Sequence, residues 1–187
     1  MTTPVLDAIM ARASCRAFTS EPVSRQQLEA LALAGCAAPS SRGNAPWKIV
    51  VVTDQQLITD ISDAALRLMA RHEPRALPKF EKVTIFFDAP ALFVIATRRT
   101  WDYVSEDLDA GLVTENIALA ATGLGLGSLI NGFSTQAFRD LRSDDADQLY
   151  ARLGLPRNYE VTVSVAVGHP AAPSTPHVPN LTAVTYL

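Results

Sequence analysis

The sequence predicts one domain that mixes helices with buried strands, and three observations carry that expectation. Trp47 to Thr53 (WKIVVVT) and Ala91 to Thr97 (ALFVIAT) are runs rich in β-branched residues, apolar at consecutive positions, the pattern of strands covered on both faces. Between them, Leu57, Ile58, Ile61, Ala65, Leu68 and Met69 recur at helical spacing. The 187 residues, 48% apolar and 19% charged, are enough for a substantial core, and no linker, repeat or low-complexity segment divides them. So little charge on so apolar a chain leans toward burial of part of its exterior against a partner.

Thr3-Pro4 opens a first helix, with Pro at the first helical position and Val5, Leu6, Ile9 and Met10 as its apolar stripe. Ser24 followed by Gln27 reads as a capping box, and the helix it starts must end near Ala38-Pro39, because the residue before Pro leaves the α region. The run 47–53, apolar on both sides, predicts a central strand. Asp54 caps a third helix. Residues 72–90 hold Pro74, Pro78 and Pro90 and read as a surface loop, with His72, Arg75 and Phe80 as candidate substrate contacts on a lid. The run 91–97 is a second buried strand. Residues 108–124 form the longest helix, apolar almost all round in its second half, as befits a helix deep in a core or between subunits. Strands at 128–133 and 160–167 flank a helix at 144–153. The tail carries Pro170, Pro173, Pro176 and Pro179, so it is extended and does not pack alone.

Bulk chemistry excludes several function classes. A net charge of −3 argues against a nucleic-acid partner, which selects basic faces. No apolar run reaches the roughly 20 residues of a bilayer span, and Met1-Thr2-Thr3-Pro4 is no signal-peptide start. Cys15 and Cys36 have no metal-type spacing and make no disulfide framework, which points to a reducing cytoplasm. Cys15 lies between arginines, a setting that lowers a thiol pKa, but a small buried filler is the commoner fate of a free Cys.

Arg12-Ala13-Ser14-Cys15-Arg16-Ala17-Phe18 is the most telling stretch. Two guanidiniums and a hydroxyl fall on alternate residues where the first helix runs out, the spacing of a chain that wraps an anionic ligand. The helix dipole alone also favours cations there. Ala38 to Trp47 (APSSRGNAPW) joins a helix to a strand with hydroxyls, Gly and Asn, which suit a ligand and also suit a plain turn. Gly123 to Gly127 (GLGLG) follows a helix and precedes a strand, the reverse of a dinucleotide fingerprint, so these glycines close a helix. His72, His169 and His177 do not form a hydrolytic constellation. Asp107 and Asp109 read as capping or solvated carboxylates, and Asn116 as a buried amide bonded to a neighbouring loop. With no side-chain acid, base or metal cluster, the reactive group of an enzyme built this way is a cofactor.

Taken in order, five segments resemble the nitroreductase family of flavin enzymes: Arg-x-Ser-x-Arg-x-Phe (12–18), Ala-Pro-Ser before Pro-Trp (38–47), the Asn-Ile-Ala-Leu-Ala-Ala run to Ser128 (116–128), Ile130-Asn131-Gly132-Phe133, and Val-x-Val-Gly-x-Pro (165–170). The resemblance spans nearly the whole chain. It implies an α+β fold, a mostly antiparallel sheet flanked by helices in an intertwined homodimer, with one FMN-binding domain over 1–187 and an extended arm at 168–187 packing on the partner subunit. It implies FMN as cofactor and NAD(P)H as co-substrate, with hydride passed by a ping-pong mechanism to a nitroaromatic, quinone or related acceptor. Arg12 and Ser14 would hold the phosphate and ribityl chain, and Arg16 the pyrimidine edge of the ring. Pro39, Ser40, Ser41 and Asn44 would come from the partner, and backbone N–H groups near Asn131 and Gly132 would face flavin N5. No side chain of this chain is implied as a catalytic acid or base. Three departures stand out: Ala45 where Gln commonly precedes Pro-Trp, His169 and His177 in place of a basic cluster in the tail, and Asn131 where Glu or Gly is commoner. Other flavin chemistry on the same fold (reductive dehalogenation or dehydrogenation), a non-catalytic flavin-binding protein, and a structural dimer without ligand remain open from sequence.

Overall fold

The computed structural model describes residues 3–72, 84–98, 106–139 and 144–187. Arg75, Phe80 and the side chain of His72, singled out above as lid residues, lie outside the described residues. A four-stranded antiparallel sheet forms the middle layer: β1 (Trp47–Val52), β2 (Ala91–Arg98), β3 (Gly127–Asn131) and β4 (Tyr159–Gly168), in the spatial order β1-β2-β4-β3. Helices cover both faces. On one side lie α2 (Arg25–Cys36) and α4 (Glu106–Gly123), where Leu28, Leu31, Val113, Ile117 and Ala121 meet Phe93, Ile95, Val165 and Val167. On the other lie α3 (Gln55–His72), α5 (Gln136–Arg139) and α6 (Asp144–Arg152), where Ile58, Ile61, Phe138 and Leu149 meet Val52, Leu92, Val94 and Ala166. The α+β class is as expected.

The ends of these elements follow local chemistry. Helix α1 (Pro4–Ala11) starts on Thr3, whose Oγ1 accepts the Leu6 N–H, with Pro4 at the position that needs no donor. Ser24 and Gln27 form the reciprocal capping box of α2. Asp54 Oδ1 accepts from the Gln56 and Leu57 N–H groups at 2.9 and 3.2 Å and so starts α3. Helix α4 ends in a Schellman motif: Gly125, at φ 71°, donates to Thr122 O, and Leu126 donates back to Ala121 O at 2.9 Å. That closes the helix and leaves no phosphate loop at 123–127.

One expectation needs correction. The run 47–53 is not a central strand; β1 lies at the sheet edge and pairs with β2 alone. Its apolar character comes from its faces, because Val50 and Val52 pack with the α3 layer while Trp47 and Ile49 pack with the α2–α4 layer. Facial burial and position within a sheet are independent, and only the first leaves a mark in hydropathy. The strand expected at 128–133 stops at Asn131, and a 3₁₀ turn at Phe133–Thr135 leads into α5. Ser134 and Thr135 start that turn by bonding back to Asn131 O and Gly132 O.

Candidate functional site

Helix α1 stops at Ala11, and Arg12 as its C-cap takes an extended conformation (φ −58°, ψ 127°). From there the chain runs as a strap along the free edge of β3. Cys15 N–H donates to Ser128 O at 2.8 Å, Ser14 bridges Ser128 in parallel, and Phe18 bridges Pro170. Extended residues alternate in direction, so the odd and even positions of 12–17 separate. Cys15 turns inward, buried, its thiol donating to Ala17 O at 3.2 Å. The fit is tight: a Cβ added at Gly127 would lie 2.8 Å from both Cβ and Sγ of Cys15, so only Gly lets the strap approach β3. Cys15 is thus the buried filler that its residue type favours.

On the other side, Arg12, Ser14 and Arg16 line a cavity of about 720 Å³. The tail closes it. Ala171 N–H donates to Ala17 O at 2.8 Å, and the chain then runs past the strap so that Ser174, Thr175 and His177 line the same cavity. His169 does not take part; its Nε2 lies 3.8 Å from Glu21. The two arginines differ. Arg12 is paired with Glu115 of α4 at 3.7 Å, while Arg16 is exposed and makes no hydrogen bond or ion pair among the described residues. The hydroxyl of Ser14 is likewise uncommitted among them.

The second group of expected residues sits elsewhere on the chain. Pro39 and Asn44 are exposed, and Ser40 and Ser41 half-buried, on the segment that enters β1. A short 3₁₀ turn at Ser41–Gly43 carries Arg42 at φ 56° and Gly43 at φ 68°, and Ala45 follows at φ 42°. Ser40 Oγ accepts the Ala45 N–H at 2.8 Å, and the Ser41 N–H donates to Asp109 Oδ1 at 3.2 Å. None of these residues lines the strap cavity. One chain therefore does not bring the two groups of expected residues together.

The third group lies at the end of β3. Gly132 is exposed, but the side chain of Asn131 is buried and turned inward. Its Nδ2 donates to Ile85 O at 2.7 Å, and its Oδ1 accepts the Ser134 N–H at 3.1 Å. Ser134 Oγ donates to Asn131 O, and Ser164 Oγ to Ser134 Oγ at 2.8 Å, which completes a buried polar network. The amide of Asn131 thus serves the fold at this point and does not reach outward.

Helix α4 holds these pieces. Asn116 Nδ2 donates to Ala34 O at 3.0 Å, so the half-buried amide ties α4 to the last turns of α2 and not to the neighbouring loop expected of it. Glu115 reaches the strap, and Asp109 reaches the turn at Ser41. Asp109 corrects the expectation of a solvated carboxylate, since it is buried at 3% exposure. Sequence reasoning also left His177 without a defined place, because its distance from the strap depends on how the tail folds back. Among the described residues no group of His, Cys, Asp and Glu is arranged to hold a metal, and no helix is long and apolar enough to cross a membrane.

Comparison with known proteins gives this geometry its family. The nitroreductase-family model matches residues 9–169. A nitroreductase with bound FMN from Desulfitobacterium hafniense DCB-2 is 32% identical, superposes with a TM-score of 0.92, and both chains are covered in full. An FMN-dependent nitroreductase from Clostridium difficile R20291 is 28% identical with a TM-score of 0.78, covering 97% of this chain and 96% of the other. The NADPH-flavin oxidoreductase of Vibrio harveyi is 29% identical over 170 residues, which is 88% of this chain and 65% of that longer protein. With a family match across most of its length, on a sheet and helix arrangement shared with solved members, the chain belongs to the nitroreductase family of oxidoreductases.

Proposed function

We propose that this protein is an FMN-dependent oxidoreductase that takes hydride from NAD(P)H and passes it to a small-molecule acceptor, a nitroaromatic or a quinone, by a ping-pong mechanism. The observation that carries this reading is the strap cavity. Two guanidiniums, a free hydroxyl and an imidazole converge on about 720 Å³, the donor set that suits a phosphate joined to a polar chain. Membership of the family, the FMN bound in the Desulfitobacterium hafniense relative and the FMN dependence of the Clostridium difficile one support the same cofactor. When bound, FMN supplies the hydride-accepting and hydride-donating centre at N5.

The chain's own residues have binding and orienting roles. Arg12, oriented by Glu115, and the Ser14 hydroxyl hold the phosphate and ribityl end, with His177 as a third contact from the tail. Arg16, without a partner among the described residues, would reach the pyrimidine edge and stabilise the negative charge that gathers there on reduction. Pro39, Ser40, Ser41 and Asn44 complete the site from a second copy, which suits their separation from the strap within one chain. The exposed backbone at Gly132 would serve flavin N5 in this reading. NAD(P)H and the acceptor use the same open face in turn.

A homodimer follows from the same reading. Segment 181–187, with Leu181, Val184, Tyr186 and Leu187 all exposed, is the arm that crosses to a partner. A largely apolar groove of about 780 Å³ beside the free edge of β1, lined by Val23, Leu28, Ala32, Val51 and Pro90, is the surface we assign to receive it.

An absorbance spectrum of the purified protein with added FMN, before and after NAD(P)H under anaerobic conditions, tests the proposal. Tight uptake of flavin and bleaching of its visible band by NAD(P)H are expected. Flavin that binds and does not bleach would reduce the protein to a binding role, and failure to bind FMN would end the flavin reading.

A further inference from the structure

Residues 40–45 are a strained stretch of backbone, and they meet a buried carboxylate. Arg42 and Ala45 are L-residues in the left-handed region, at φ 56° and 42°, with Gly43 at φ 68° between them. Left-handed backbone at a residue with a Cβ is unfavourable and persists only where its surroundings enforce it. Asp109, in the first turn of α4, is 3% exposed, and no ion pair with a cation is made by it among the described residues. Its one hydrogen bond there goes to the Ser41 N–H, across 68 positions of sequence. A core carboxylate is costly, and among the described residues the positive end of α4 and this donor offset it.

The hydrogen bonds of the turn divide its polar groups in two. Ser40 Oγ is occupied by the Ala45 N–H, and the Ser41 N–H by Asp109. The side chains of Ser41 and Asn44 have no partner among the described residues, and Asn44 is exposed. The turn is thus held from inside by Ser40 and Asp109 and presents Ser41 and Asn44 outward. A strained turn joined by a hydrogen bond to a buried carboxylate is what a preorganised binding loop requires.

We infer that Asp109 is a positioning residue. Through the Ser41 N–H it clamps the strained turn, so that the Ser41 hydroxyl and the Asn44 amide stand ready for the flavin of the site that the turn completes. Ser40 helps the clamp from within the turn, through its bond from the Ala45 N–H. The inference rests on the flavin reading for its functional half, while the clamp itself can be read without any ligand.

Two measurements on the full chain test it, each on wild type, Asp109→Ala and Asp109→Asn. The first is hydrogen exchange of the Ser41 amide without ligand. Asn keeps an acceptor oxygen and Ala does not, so protection is expected to persist in Asp109→Asn and to fall at least about tenfold in Asp109→Ala. The second is the dissociation constant for FMN from fluorescence quenching, with circular dichroism to establish that each variant is folded. Asp109→Ala is expected to bind about tenfold more weakly or worse, and Asp109→Asn to stay within about threefold of wild type. Unchanged Ser41 protection in Asp109→Ala, or equal losses of FMN affinity in the two variants, overturns the inference. If wild type fails to take up FMN, the flavin reading falls, and the exchange measurement alone decides whether the clamp exists.

Discussion

Arg12 and Arg16 face one cavity from one strap, yet their surroundings set them apart. Arg12 is about three-quarters buried in its side chain and already faces Glu115, so its guanidinium has a fixed place before any ligand arrives. Arg16 is exposed and has no partner among the described residues, so its charge stands in water. Removing an exposed, unpaired side chain changes stability by no more than about 0.5 kcal/mol. Removing a charged partner of a bound anion costs about 1.5–3 kcal/mol of affinity. Arg16→Ala is therefore expected to leave the melting temperature nearly unchanged while FMN binding weakens about tenfold or more and any flavin retained becomes harder to reduce. Fluorescence titration and redox titration of the bound flavin check this. An unchanged dissociation constant together with an unchanged potential would remove Arg16 from the site.

Much of this molecule was legible one element at a time. Thr3-Pro4, Ser24 with Gln27, and Asp54 each start a helix by satisfying its first N–H groups locally, and local chemistry is what a sequence carries most directly. The GLGLG run was legible for the same reason, because the order helix-then-strand left only a C-cap. What stayed hidden depends on distant pairing. The edge position of β1 is set by which strands find each other, and hydropathy reports only that both its faces are covered. The inward turn of Asn131, the clamp from Asp109 to Ser41 and the position of His177 beside the strap each join residues far apart in the chain. The strap itself was visible in sequence, but not that a tail from the same chain would wall it.

The contact of α3 with α6 permits an element-level prediction. Asp60 of α3 accepts from Arg152 of α6, Asp54 lies 3.6 Å from the same guanidinium, and Arg67 pairs with Asp145 at 2.9 Å. The hydrogen bond from Arg152, with another from Gln56, holds the Asp60 carboxyl below the ordinary aspartate range. Its folded-state pKa is thus below its unfolded one, so the stabilisation is present above the ordinary value and is lost as pH falls through the lowered one. These groups are partly exposed, which limits the contribution to at most about 1 kcal/mol. Asp60→Asn is expected to lower the melting temperature at pH 7 by a few degrees or less. The gap between variant and wild type should close as pH falls through that lowered value, below which both carry a neutral group. A gap that is constant with pH would mean that packing, not charge, carries the effect.

At the scale of the whole molecule, apolar side chains on α1 and on segment 181–187 stand exposed, as the proposed dimer requires. Helix α1 has only eight residues and buries none of them, although Val5, Leu6, Ile9 and Met10 lie along it. A helix that short is marginal in water by its own hydrogen bonds, so a well-capped, unburied α1 makes sense against a partner. The free edge of β1 presents unpaired N–H and C=O groups next to an apolar groove, and a sheet edge left so is open to pairing. Segment 181–187 supplies β-branched and aromatic side chains that find no cover on their own chain. Sedimentation equilibrium at micromolar concentration is expected to give twice the monomer mass. A chain ending at Asn180 should shift toward monomer and lose flavin, because Ser41 and Asn44 of the second copy would no longer be held against the strap. Ile9→Asp, which puts a charge on the apolar face of α1 without touching the strap or the tail, should weaken the dimer by the same measurement. A wild-type chain that sediments as a monomer while binding FMN tightly would break this account, since the strap and the turn at 39–44 of one chain do not meet in a single cavity.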